Sequence, residues 1–261
     1  MLASKLLLSA LGATAVVAAP VFPDLNMAAA LPGSIDTMSE YFNMLAQKVQ
    51  ESKSMAAAPV CDVSKAVLPQ STPPLPPPAA GLILKHVAIG RGTQNYTCAN
   101  ETAAPVANGA VATLFNATCI ASTYPELAKL LVKVALQFNL TQSEASRRLA
   151  PSNLAISGKH FFTPSLTPFF NLDVSDTMKL GEVPCAKNAS SPAPPNAPVG
   201  QQGEAAVPWL KLTAKPGATG DLQEVYRVET AGGSAPATCK GMPADFEVQY
   251  AAQYWFYEKS Q

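Results

Sequence analysis

The pattern of hydrophobic and polar positions divides the chain near residue 82. Before this point, the segment 36–52 carries apolar side chains at three- and four-residue intervals, which is typical of an amphipathic helix. Its apolar residues are Met38, Tyr41, Phe42, Leu45 and Val49. After this point, short segments alternate between apolar and polar residues and predict antiparallel β-strands. We therefore expect an N-terminal helix followed by a mainly β region.

The β region is expected to hold about eight strands in one antiparallel domain. The strand-like segments are 82–89, 93–98, 111–121, 154–156, 160–163, 169–172, 177–180, 207–214, 222–230 and 246–257. Gly90-Arg91-Gly92 is expected to form a turn between the first two. Strands and helices do not alternate regularly, which argues against a parallel nucleotide-binding sheet. The predicted fold class is mainly β, an antiparallel sandwich or flattened barrel with peripheral helices.

Helical spacing returns only between residues 123 and 150. Thr123 and Glu126 are spaced as a capping box, and Pro125 lies in the first turn of a predicted helix over 124–138. Thr141 begins a second, shorter helix that should end near Leu149. These helices should pack on the outside of the β domain.

The N-terminus has the features of a secretory signal peptide. Lys5 precedes a short apolar stretch, 6–19, that ends in small residues. The run PPLPPP at 73–78 favours extended polyproline geometry, as a stiff linker or as a strap over the domain. No later apolar run is long enough for a transmembrane helix. The expected organisation is a signal peptide at 1–19, an N-terminal arm with a helix at 20–60, a Pro-rich linker at 61–81 and a β domain at 82–258, with a helical insertion at 123–150 and a Pro/Ser-rich loop at 186–206.

Composition narrows the possible partners. The chain has 18 basic and 18 acidic residues, and only 14% of its residues are charged, so neither nucleic acid nor an anionic membrane surface is favoured as a partner. We expect a secreted protein that passes through an oxidising, glycosylating compartment and is located in the extracellular space or the cell wall. The predicted glycan acceptors in Asn-x-Ser/Thr are Asn95, Asn100, Asn116, Asn139 and Asn188. Five cysteines allow two disulfides and one free thiol, in several pairings.

Five motifs, in order, resemble domain-of-unknown-function family 3455, whose members are secreted proteins of filamentous fungi with bacterial relatives. The motifs are GTQNYTC at 92–98, GKHFF at 158–162, VPWLKL at 207–212, EVYRVETAGGSAP at 224–236 and YAAQYWFY at 250–257. The resemblance covers roughly residues 60 to 258 and implies no activity, because the family has none established. It favours a disulfide between Cys98 and Cys239, which flank motif strands, and a second between Cys61 and Cys119. Cys185 would then be the free thiol.

Some members of that family carry a malate dehydrogenase label, which these residues do not support. The nearest dinucleotide motif, GRGTQN at 90–95, lacks its third glycine and precedes a predicted strand where a helix is required. No Gly-x-Ser-x-Gly motif of a lipase-type hydrolase is present. We predict no cofactor.

Only two histidines are present, His86 and His160, and they are too few for a His-rich metal site. We predict no metal, although histidines combined with carboxylates could form a mixed site. His160 with a nearby carboxylate is the main enzymatic possibility. Asp173 and Asp176 could serve as paired carboxylates of a glycosidase, or lie in a solvated loop.

Aromatic residues provide the candidate ligand site. Strand alternation places Trp209 on the same face as Lys211, and Trp255 on the same face as Tyr257. These aromatics could stack against sugar rings, or they could lie in a second layer beneath the helical insertion. The first hypothesis is a non-enzymatic binding or surface protein whose ligand is a cell-wall polysaccharide. The rival hypotheses are an unrecognised secreted enzyme and a structural or host-interacting protein without a small ligand.

Overall fold

The computed structural model describes residues 34–57, 59–175 and 178–260. The predicted signal peptide, the first part of the N-terminal arm and Asp176 lie outside the described residues. The structure is mainly β, with 43% strand and 20% helix, which confirms the predicted fold class.

The helices are α1 Ser34–Lys53, α2 Thr118–Thr123, α3 Pro125–Ala135 and α4 Leu140–Ser146, with a 3-10 turn at Val63–Lys65. The strands are β1 Leu82–Thr97, β2 Val106–Asn116, β3 Arg148–Leu149, β4 Leu154–Phe162, β5 Pro168–Ser175, β6 Met178–Ser191, β7 Trp209–Ala214, β8 Leu222–Gly232 and β9 Asp245–Lys259.

These strands form one antiparallel sheet whose order is β2-β1-β9-β8-β7-β6-β5-β4-β3. A further pairing between β2 and β4 closes the sheet on itself, so the eight longer strands make a ring. The last strand, β9, lies between β1 and β8 and pairs with both along most of its length. The order β7-β8-β9 places three of the motif-bearing strands side by side.

The turn predicted at residues 90–92 is wrong, because β1 runs through this segment as one continuous strand. The two glycines are required by close packing rather than by a turn. A Cβ at Gly92 would lie 1.9 Å from the carbonyl oxygen of Val111, and one at Gly90 would lie 2.5 Å from the ring of Tyr254. The segment pairs with β2 on one side and with β9 on the other, so the dinucleotide-like motif is a central strand.

Two apolar cores lie on the two faces of the sheet. The inner core fills the ring and includes Phe170, Val225 and Phe256. The outer core lies between the sheet and the helices, and Leu131 of α3 and Trp255 of β9 belong to it. Side-chain alternation along each strand supplies both cores, because successive residues point to opposite faces.

The helical insertion differs from the prediction in its boundaries. The segment after β2 turns into α2 at Thr118 rather than continuing as a strand to residue 121. Tyr124 rather than Thr123 is the N-cap of α3 and makes no side-chain capping hydrogen bond. In α1, Tyr41 of the predicted apolar stripe is buried, whereas Phe42 and Val49 are exposed.

Residues 66–80, called here the Pro strap, lie across the outer face of the sheet. Three side chains donate hydrogen bonds to its carbonyl oxygens: Ser191 Oγ to Pro73 (2.7 Å), Tyr226 Oη to Pro76 (2.9 Å) and Lys211 Nζ to Pro77 (2.7 Å). Prolines offer carbonyl acceptors but no N–H, so strand side chains must supply the donors. Of the two predicted alternatives, linker and strap, the structure has the strap.

The disulfides are Cys61–Cys119 and Cys98–Cys239, the pairing that the family resemblance implied. Cys185 is the free thiol and is buried, and burial raises its pKa to about 12. It lies within β6. That strand continues to residue 191, so the Pro/Ser-rich loop begins later than residue 186.

Candidate functional site

The predicted aromatic residues are buried. Trp209 and Trp255 are each 2% exposed and Tyr257 is 7% exposed, and all three belong to the outer core. They therefore do not form an open stacking surface, and the alternative of a covered second layer is the one observed. The Nε1–H group of Trp255 donates to Gln253 Oε1 at 3.0 Å. The Nε1–H group of Trp209 has no hydrogen-bond partner among the described residues.

Trp209 lines a cleft of about 460 Å³ on the outer face of the sheet. Helices α1 and α3 contribute one part of its wall, through Glu40 and Lys133 among others. The loop 194–198 and the end of β8 contribute the rest. We call this space the Trp209 cleft.

A second cleft, of about 300 Å³, lies between α3 and the Pro strap. Residues 67–70 of the strap line it, together with Gln253 and Trp255. We call it the Trp255 cleft. Three charged residues line both clefts, namely Glu126, Lys129 and Glu229. The two clefts are therefore adjacent parts of one surface feature, called here the Glu229 groove.

The backbone at Glu229 is unusual for a residue within a strand. Its φ is 46°, in the left-handed region that a non-glycine residue adopts at a cost of about 1–3 kcal/mol. The pairing of β8 with β9 shifts register between Val228 and Ala231, which marks a bulge at this point. Bulges redirect side chains and are frequent beside functional sites. Here the bulge coincides with the residue that lines both clefts.

The carboxyl group of Glu229 is largely buried and has one cationic partner. Lys129 Nζ lies 3.3 Å from Glu229 Oε1, and the Glu229 side chain is 14% exposed whereas that of Lys129 is 66% exposed. Burial raises the pKa of Glu229, and the nearby ammonium of Lys129 partly opposes this effect. The groove therefore combines one partly desolvated carboxyl group with solvated charges of both signs.

The unpartnered N–H of Trp209 is the second unusual feature of the groove. Leaving a buried donor without an acceptor costs about 1–3 kcal/mol. The Nε1 atom is itself fully buried, so a ligand in the cleft would reach this donor only after movement of the indole ring.

Neither histidine is placed for catalysis. His160 is 4% exposed, stacks on Phe170 with ring centroids 4.2 Å apart, and has Nδ1 3.0 Å from the carbonyl oxygen of Phe169. His86 contacts the hydroxyl groups of Ser157 and Thr118, each at 2.9 Å. Burial lowers the pKa of each histidine to about 4. The partners of both are thus neutral groups, and the predicted pairing of His160 with a carboxylate is not observed among the described residues.

Of the predicted carboxylate pair, Asp176 lies outside the described residues. Asp173 itself is exposed and accepts a hydrogen bond from the backbone N–H of Gly181 at 2.7 Å. Within the described part of the chain, no group of three or more His, Cys, Asp or Glu residues is placed to hold a metal ion.

The predicted glycan acceptors fall into two groups. Asn100, Asn139 and Asn188 are exposed, whereas Asn95 and Asn116 are half-buried within or at the end of strands. The structure therefore offers room for a glycan most clearly at the first three.

The groove residues Glu126, Lys129 and Glu229 were missed as site residues in the sequence analysis. For Glu229 a signal was present, since it is a charged residue within the strand motif EVYRVETAGGSAP. The other two residues lie on the polar side of an amphipathic helix, where charged residues are ordinary. Nothing in the helix pattern separates them from a solvated surface.

The closed antiparallel ring, with helices and a strap over a charged groove, defines a mainly β protein with a candidate binding site on its outer face. The family model described as protein of unknown function (DUF3455) matches residues 78–258, so the chain belongs to this family. Comparison with curated proteins gave no match, and comparison with solved structures gave none either.

Proposed function

We propose that this protein is a secreted, non-enzymatic binding protein and that the Glu229 groove binds a cell-wall glycan. The observation that supports this most directly is Glu229, whose largely buried carboxyl group lines both clefts at a bulge with a left-handed backbone. Backbone strain at a residue that lines both clefts is explained if its carboxyl group binds a ligand.

The chemistry of the groove suits a ligand rich in hydroxyl groups. A hydroxyl can donate to the carboxylates of Glu126 and Glu229 and accept from the ammonium of Lys129. Apolar side chains, among them Leu130, line the same cleft and can contact the apolar faces of a sugar ring. A neutral ligand fits better than a charged one, because charges of both signs line the groove.

Two disulfides support an extracellular location. Within the described residues, no helix combines the length and the apolar character that a membrane span requires.

The first test is a pull-down with insoluble wall polysaccharides, followed by a glycan array. Lys129→Met removes the exposed ammonium that lines both clefts, so we expect a loss of affinity of about tenfold, equivalent to one hydrogen bond from a charged group. Glu229→Gln should weaken binding about 10- to 100-fold, because it removes a charged hydrogen-bonding group. Glu101→Gln is the matched control, since Glu101 is exposed on a loop and does not line the groove.

Wild-type protein that binds no polysaccharide, or groove variants that remain folded and bind like the wild type, would overturn the proposal. The first of these results would favour a structural or host-interacting role.

A second candidate, glycoside hydrolysis, is suggested by the two carboxyl groups that Glu126 and Glu229 place in one groove. Burial raises the pKa of Glu229, as expected for a general acid. The pull-down supernatants should therefore be assayed for new reducing ends. Release of sugars by the wild type but not by Glu229→Gln would replace the binding function with an enzymatic one.

A further inference from the structure

We infer, on the basis of the proposed function, that the ligand is a linear glycan that runs through both clefts and passes over the Lys129–Glu229 pair. A single sugar held in one cleft would leave half of the groove unused.

Strand order supports this path. Trp209 lies on β7, Glu229 on β8 and Trp255 on β9, and these strands are neighbours in that order. Adjacent strands are about 4.8 Å apart, so the strands of the two tryptophans are separated by roughly 10 Å. The bulge at Glu229 lies between them. The groove thus crosses three strands with its charged pair in the middle.

One helix lines the groove along both clefts. Glu126, Lys129, Leu130 and Lys133 are spaced at three- and four-residue intervals and project from one side of α3. Glu126 and Lys129 reach both clefts, while Leu130 and Lys133 line the Trp209 cleft. A ligand that follows this helix meets a continuous wall rather than two separate pockets.

The two clefts also resemble each other in chemistry. Each has one buried tryptophan and an exposed amide, Asn196 in the Trp209 cleft and Gln70 in the Trp255 cleft. Proline residues contribute apolar surface to both. Similar groups on the two sides of a central charged pair suit a polymer, which presents the same unit repeatedly along its length.

Each cleft alone is large enough for a ligand. Their volumes, about 460 and 300 Å³, lie within or at the lower limit of the roughly 300–1,000 Å³ of small-molecule sites. Both are open to solvent rather than enclosed. A chain can therefore continue beyond either end of the groove.

The test uses isothermal titration calorimetry of the full-length mature protein with chitin and β-glucan oligosaccharide ladders, from disaccharide to octasaccharide. We expect affinity to rise at least tenfold with chain length and then to become constant. Asn196→Ala and Gln70→Ala change exposed side chains on opposite sides of the pair, so both variants should fold normally. Each variant should lower the affinity for the longest oligosaccharide at least threefold. At least one of the two should leave the affinity for the disaccharide unchanged.

Affinity that is independent of chain length would overturn this inference while leaving the proposed function intact. The same conclusion would follow if only one of the two variants changed the binding of the longest oligosaccharide. Absence of binding to every member of both ladders, together with a negative pull-down, would instead remove the proposed function itself.

Discussion

Replacing Lys211 with methionine should destabilise the protein, because it removes one of the three side-chain hydrogen bonds to the Pro strap and leaves a buried carboxylate without its cation. Lys211 Nζ lies 3.0 Å from Glu224 Oε1, and the two residues are only 5% and 6% exposed. The same ammonium donates to the carbonyl oxygen of Pro77 at 2.7 Å. Glu224 also accepts hydrogen bonds from the backbone N–H of Ala79 and from Tyr226 Oη, each at 3.3 Å.

The size of the effect follows from this geometry. Removing one partner of a buried ion pair costs about 3–5 kcal/mol, because the remaining charge stays desolvated. Methionine keeps the side chain as far as the position of Cε, so loss of packing contributes little. For a domain of this size, the loss corresponds to a decrease in Tm of roughly 6–20 °C. The double variant Lys211→Met/Glu224→Gln should be more stable than Lys211→Met alone, since it contains no unpaired buried charge.

Urea unfolding with the disulfides intact, followed by tryptophan fluorescence, provides the measurement, because both tryptophans are buried in the native state. Lys187→Met is the matched control: this lysine is exposed on β6, and its loss should change the free energy of unfolding by less than about 0.5 kcal/mol. The reasoning is refuted if the free energy of unfolding of Lys211→Met lies within about 1 kcal/mol of that of the wild type. It is equally refuted if the double variant is destabilised by the sum of the effects of its two single substitutions.

Three further predictions concern pH, covalent linkage and modification. In the folded protein the pKa values of His86 and His160 are lowered to about 4, whereas in the unfolded chain they are near 6.5, so the unfolded state binds more protons as the pH falls between these values. The free energy of unfolding should therefore decrease by about 3 kcal/mol for each histidine over this range. Urea titrations at successive pH values should show this decrease, and the decrease should be smaller in His160→Gln. Replacing both Cys98 and Cys239 with serine should lower the free energy of unfolding by about 2–5 kcal/mol, because this disulfide joins residues separated by 141 positions. Calorimetry that finds no decrease in Tm would contradict this. Asn139 is exposed, so peptide mapping of protein secreted by a glycosylating host should find a glycan there, and an unmodified residue would disprove its use.

The local pattern of the sequence was sufficient to predict the fold class. Alternation of apolar and polar residues has a period of two whether or not the neighbouring strand is known, so most strands could be located. The disulfide partners were accessible only through the family resemblance. At residues 90–92 the local pattern failed, since a Gly-x-Gly segment suits both a turn and a strand with close neighbours. The approach of Val111 and Tyr254, distant in sequence, decides between them.

The candidate site depends still more on tertiary structure. The sequence correctly placed Trp209 and Lys211 on one face of β7, but it could not determine what covers that face. Helix α3 and the Pro strap come from other parts of the chain and convert an apparent stacking surface into a buried layer with a groove above it. Glu229 enters that groove because the register of β8 and β9 shifts beside it. The sequence by itself determined the strands and the family, because these depend on local periodicity and on motifs. The site was decided by tertiary structure, because solvent exposure and strand register depend on residues far away in the chain.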